Sequence, residues 1–114
     1  MAMNIGSPLF ERQIRKFLVH TIDEVRRPSY EVASVDHPDT IATNVPCRFE
    51  PNQRLIRTDD GREVLLQGNV YVGPDVNVYP DVLLKIGEQE YTVFRVVDSV
   101  DGQGSTVLRR LEVR

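Results

Sequence analysis

The chain holds one cysteine, two histidines and no tryptophan, and each shortage narrows what it can do. With Cys47 alone no internal disulfide can form, which excludes a secreted fold held together by cross-links. His20, His37 and Cys47 are the only strong nitrogen and sulfur ligands, and no two share the close spacing of a zinc finger or a helical histidine pair. No metal and no cofactor are expected. Long hydrophobic runs are missing too: nothing approaches the ~20 apolar residues of a membrane-spanning helix, so no membrane partner is expected. Met1 to Ser7 leads straight into the charged stretch from Glu11 to Lys16 rather than into an apolar leader. Synthesis and first residence in the cytoplasm are the expectation.

A basic excess is also lacking. Fourteen Lys and Arg face seventeen Asp and Glu, for a net charge of −3, which argues against a dedicated nucleic-acid binder. Local basic clusters exist at Arg12-Arg15-Lys16, Arg26-Arg27, Arg54-Arg57-Arg62 and Arg109-Arg110. Interspersed signs of this kind suit complementary contacts between subunits.

What is present is an ordinary globular composition, 40% apolar and 27% charged over 114 residues. That is one domain's worth of chain. Aromatics make up only 7%, so the core must be built from Val, Leu and Ile. We expect an N-terminal extension over 1–16 with a helical stretch, followed by a single β-barrel domain over 17–114.

Two periodicities compete near the N-terminus. Leu9, Phe10, Ile14, Phe17, Leu18, Ile22 and Val25 recur at helical spacing, whereas Phe17, Val19, Thr21 and Val25 alternate as in a strand. The reading adopted is a short helix over 8–16 and a strand over 17–26, ended by Arg27-Pro28 because the residue before proline is pushed from helical geometry. Residues 33–44, with Asp36, Pro38, Asp39 and Asn44, read as a loop. A strand over Val45 to Glu50 should stop at Pro51. Asp60-Gly61, between Arg54–Arg57 and Glu63–Leu66, marks a hairpin, since glycine accepts the positive φ of a tight turn. Val70, Val72, Val76 and Val78 alternate with polar residues around a Gly73-Pro74-Asp75 break. Val82 to Ile86 and Tyr91 to Val97 are strands joined across Gly87-Glu88-Gln89, and Thr106 to Val113 closes the chain after Asp101–Gly104. Short strands at this spacing indicate a mainly β fold, a small antiparallel barrel or sandwich with a short N-terminal helix and long loops.

No constellation for catalysis emerges, and the protein is expected not to be an enzyme. Ser7, Ser29, Ser34, Ser99 and Ser105 lie in turn-like contexts, none within a G-x-S-x-G elbow. His20 reads as a strand histidine on a wet face, and Cys47 as a small core or edge residue. The acidic pairs Asp23-Glu24, Asp59-Asp60, Glu88 with Glu90, and Asp98 with Asp101 fall mostly at turns, where Asp makes local hydrogen bonds. Gly102-Gln103-Gly104 lacks the Lys-Ser/Thr and the helix of a phosphate loop.

The order of these features resembles the small head–tail joining proteins of long-tailed bacteriophages, the head-closure or stopper family. The resemblance rests on Phe17-Leu18-Val19-His20-Thr21, then Val45-Pro46-Cys47-Arg48-Phe49-Glu50, then the strand–Asp60-Gly61–strand hairpin. It continues through Tyr79-Pro80-Asp81, Gly87-Glu88-Gln89-Glu90-Tyr91-Thr92-Val93, and a closing strand over Val107 to Val113. These cover about 95 residues, from His20 to Arg114. Pro8 to Lys16 departs from the family, being longer and more helical. The resemblance implies a virion neck component, resident in the host cytoplasm during assembly. It would form a homo-oligomeric ring between a portal–adaptor ring above and a tail terminator or tail tube below, close to packaged double-stranded DNA. A loop projecting into the channel would retain that DNA. By order of elements it corresponds to Asn52, Gln53, Arg54, Arg57, Thr58, Asp59, Asp60, Gly61 and Arg62. The alternative is a monomeric OB-like barrel binding single-stranded nucleic acid, which wants Tyr71, Tyr79 and Tyr91 displayed beside basic residues on one sheet face.

Overall fold

The computed structural model describes residues 16–28 and 40–114. Alternation of Val, Leu and Ile with polar residues produces six strands: β1 (His20–Arg26), β2 (Thr40–Arg57), β3 (Glu63–Val72), β4 (Leu83–Ile86), β5 (Gln89–Val100) and β6 (Thr106–Val113). All pairings are antiparallel, and they close into a barrel in the order β1-β2-β3-β6-β5-β4, with β4 returning to β1. Inward-facing residues of every strand meet in one core, including Ile22, Val25, Cys47, Val70, Leu84, Val93 and Leu111. Val78 and Val82 add to it from the segment between β3 and β4. The mainly β architecture matches the sequence reading. Of the expected helix over 8–16, all but Lys16 lies outside the described residues.

Strand β2 departs from expectation at both ends. Thr40 to Asn44, read as loop, pair with β1 through Arg26↔Thr40, Val25↔Ala42 and Glu24↔Thr43. The asparagine that suggested a loop is tolerated because Asn44 takes a left-handed φ of 53°, which Asn adopts more readily than most residues. Nor does Pro51 end the strand. Pro51 pairs with Gly68 and Arg54 with Leu66, so β2 spends one residue more than β3 between them. That is a β-bulge, one of the few places a strand interior accepts proline. β2 runs for 18 residues, and the bulge between Pro51 and Arg54 is where its pairing shifts; a bulge bends the strand that carries it.

Smaller differences follow from the same logic. β1 begins at His20 rather than at residue 17, and β5 runs on to Val100, carrying Asp98 and Ser99 into strand rather than turn. Val76 and Val78 lie outside any strand. The expected turns hold: Gly61, Gly87 and Gly104 all have positive φ.

Candidate functional site

The segment singled out in sequence, Asn52 to Arg62, stands off the barrel as an arm. Two facts of pairing make it so. On β2, β1 reaches only as far as Cys47; on β3, β6 reaches only as far as Gly68. Beyond those points β2 and β3 have only each other among the described residues. Asn52, Gln53, Arg54 and Arg57 lie in β2, while Thr58 to Arg62 form the tip.

The tip is built by local chemistry. Thr58 N–H donates to Arg62 O at 2.8 Å and Gly61 N–H to Thr58 O at 2.9 Å, with Gly61 at φ 86°. The Asp60 carboxylate accepts from the Thr58 hydroxyl and from Arg62 Nε, the latter at 2.7 Å. These partners, the Thr58 hydroxyl foremost, hold the Asp60 carboxyl below its ordinary range. Behind the tip, one face carries Gln53–Gln67 (3.1 Å), the cross-strand pair Leu55↔Leu65, and Arg57–Glu63 (3.6 Å). Leu55 is 60% exposed and Leu65 48%. A two-stranded ribbon is marginal in water, and this one shows water an apolar pair and, among the described residues, two edges without a paired strand.

Its root is pinned by a buried charge. Glu112 on β6 is 1% exposed and accepts from Arg54 Nη2 of β2 at 2.5 Å, from Arg95 Nη2 of β5 at 3.0 Å, and from Arg95 Nε. A carboxylate taken from water needs such partners. The Arg95 hydrogen bonds, with the positive charge of Arg95, Arg54 and Arg110, outweigh burial and hold the Glu112 carboxyl below its usual range. Of the nine residues named from sequence, Arg54 is therefore a structural anchor. Its partners Arg95 and Glu112 were missed; in sequence Glu112 reads as an ordinary outward residue of an alternating strand.

At the arm root the backbone of β2 also lies against Gly68. A Cβ on Gly68 would lie 2.5 Å from Glu50 O and 3.0 Å from Pro51 Cα. β2 passes so near that only glycine fits.

Elsewhere the chemistry-bearing residues are scattered. His20 is exposed, and its Nδ1 accepts from Phe49 N–H at 3.0 Å. Cys47 is fully buried, and burial, with the Asp23 charge, pushes its thiol up to about 11. The native protein should therefore resist a disulfide-exchange reagent at pH 8 and react only as fast as it opens; rapid stoichiometric labelling would contradict that burial. Among the described residues no group of three or more His, Cys, Asp and Glu is placed to hold a metal ion. The tyrosines of the single-strand-binding alternative do not share one face. Tyr71 meets the Phe17 ring edge-on at 5.5 Å, Tyr91 packs against Phe49 at 4.9 Å, and Tyr79 and Tyr91 lie against the core.

Barrel and arm together define a closed, six-stranded antiparallel barrel that sends one strand pair outward. No known protein family and no curated protein matches the chain. A solved structure of the phage-like element PBSX protein xkdH from Bacillus subtilis is similar at 18% identity, covering 83% of this chain and 92% of that one, with a TM-score of 0.45.

Proposed function

We propose that the protein is a ring-forming structural component of a tailed-phage neck, a head-closure or stopper subunit placed between portal–adaptor and tail. The observation that carries this reading is the arm, two β-strands projecting past a closed barrel with Leu55 and Leu65 exposed and, among the described residues, no strand paired to either edge. Such a surface is suited to being covered by another chain. The resemblance of the strand and turn order to the head-closure family supports the same role. In a ring, the barrels form the wall and the arms gather at the channel. There the mixed charges of Arg57, Asp59, Asp60, Arg62 and Glu63 can pair across copies without binding DNA tightly, since tight binding follows from phosphate neutralisation.

Adding the purified protein to a portal–adaptor complex and imaging the product tests this directly. A closed ring with the Thr58–Arg62 tips towards the axis is the expected result. A monomer that ignores the adaptor but binds single-stranded DNA with steep salt dependence would overturn it. The double substitution Leu55→Lys/Leu65→Glu sharpens the test, because it removes the apolar pair while keeping opposite charges across the Leu55↔Leu65 position. Both residues are exposed, so thermal stability should move by less than about 1 kcal/mol, while ring formation on the adaptor should weaken by roughly tenfold or more. Equal assembly of variant and wild type would remove the arm from the interface.

A further inference from the structure

Charge is not spread evenly around the barrel wall. The strand order places the β3–β6 seam opposite the β1–β4 seam. Across the first run two registered rows, Arg48↔Tyr71↔Arg110↔Val97 and Glu50↔Asn69↔Glu112↔Arg95. With Arg54 reaching in from the arm root, four arginines face two glutamates there. Arg48 pairs with Glu50 at 3.0 Å and lies over the Phe17 ring at 4.7 Å, which leaves Arg54, Arg95 and Arg110 around the single carboxylate of Glu112. Glu112 is already shared by Arg54 and Arg95, and Arg110 Nε is buried without a hydrogen-bond acceptor among the described residues.

The opposite wall has the reverse balance. Its register runs Thr43↔Glu24↔Lys85↔Glu90, flanked by Asp23 and Glu88, both exposed. Four carboxylates stand against Arg26, Lys85 and the flanking, exposed Arg27. One engages Arg26 within its own strand, Glu24 to Arg26 Nε at 3.0 Å, and Asp23 accepts from Gly87 N–H at 2.9 Å. Glu88 in the β4–β5 turn and Glu90 at the start of β5, opposite Lys85, are both exposed.

We propose that the arginine-rich β3–β6 wall of one copy docks on the carboxylate-rich β1–β4 wall of the next. Two different, complementary walls on opposite sides of one barrel make a head-to-tail contact, which closes into a ring when the rotation per copy divides a full turn. Opposite signs favour this pairing, while either wall against itself brings like charges together. The inference rests on the ring reading above and adds to it which faces meet. An acidic second copy, rather than nucleic acid, fits the arginine wall because the same molecule supplies the complementary surface and the whole chain is acidic.

The test measures self-association of the full chain by sedimentation and native mass spectrometry. It runs at about 10 mM and about 150 mM ionic strength, where screening lengths are about 30 Å and about 8 Å. Wild type should associate, and more tightly at low salt. Arg110→Glu alone and Glu90→Arg alone should each weaken association by about tenfold or more. An equimolar mixture of the two variants should recover it, since each then offers the other an opposite wall. Arg110 lies in the field of Glu112, so Arg110→Glu risks the fold; Glu90→Arg, on an exposed residue, carries the test by itself if the first variant unfolds. Association that is unchanged by Glu90→Arg and by salt overturns the wall pairing and leaves the ring reading standing. Wild type that stays monomeric alone and on the portal–adaptor complex defeats the ring reading itself. Binding of wild type to a short DNA duplex, lost in Arg110→Glu, would assign the arginine wall to a polyanion and overturn the proposal.

Discussion

Replacing Glu112 with alanine should destabilise the protein by about 2–3 kcal/mol and release the arm from the barrel. The carboxylate is buried while Arg54 and Arg95 retain 38% and 56% side-chain exposure. Removing one partner of a wholly buried pair costs about 3–5 kcal/mol; here the abandoned guanidiniums can turn to water, so the loss falls below that range. For a chain of this size the change corresponds to a drop of roughly 10 °C in Tm. Hydrogen exchange would separate the two effects, because amides of residues 54–66 should lose protection before those of the core. Arg95→Ala should recover part of the loss when added to Glu112→Ala, and strict additivity would show that the two do not act as a pair.

The same carboxylate sets an acid limit. Its pKa is lowered in the fold, so at neutral pH it contributes stability that is fully present above the unfolded value, near about 4.3. That contribution is lost as pH falls through the lower folded value. Acid unfolding should therefore begin below about pH 4 with the arm root, and Glu112→Gln should flatten stability against pH over that window.

Gly68→Ala should be nearly as damaging, at about 2–4 kcal/mol, for a steric reason. The added methyl would meet the backbone of Glu50 and Pro51, at 2.5 Å and 3.0 Å, and backbone gives way far less readily than a side chain. Relief requires moving β2 at its bulge, the point that aims the arm. Overpacking of this kind costs about 1–3 kcal/mol in ordinary cores; a clash with three successive backbone residues of β2, Glu50 to Asn52, belongs at or above the top of that range. Denaturant unfolding measures the loss. A Gly68→Ala protein as stable as wild type would mean that β2 relaxes freely there, and that the arm's direction is not set by this contact.

Much of the barrel was legible because its turns are written in residues with few alternatives. Asp60-Gly61, Gly87 and Gly104 each mark a reversal, and β6 falls on the expected Thr106 to Val113. The failures cluster in β2. Asn44 and Pro51 are breakers by local rules, yet a left-handed φ and a bulge absorb them, and both depend on partners distant in sequence. Glu112 was illegible for a stronger reason: Arg54 lies 58 positions away, and nothing in Leu-Glu-Val announces burial. Gly68 did leave a trace, since a lone glycine inside a strand pattern often marks close backbone approach.

One consequence concerns force. Strand β2 hands over from β1 to β3 at Cys47, the residue that pairs with both His20 and Val72. A push or pull on the arm tip therefore enters the barrel along both strands of the arm: β3, held by β6 from Gly68 onward, and the longer β2 spar, spliced in by β3 nearer the load and by β1 farther from it. Load along that spar acts in shear on many hydrogen bonds at once instead of peeling them one by one. The strand that meets the load also forms two of the barrel's seams, one with β1 and one with β3.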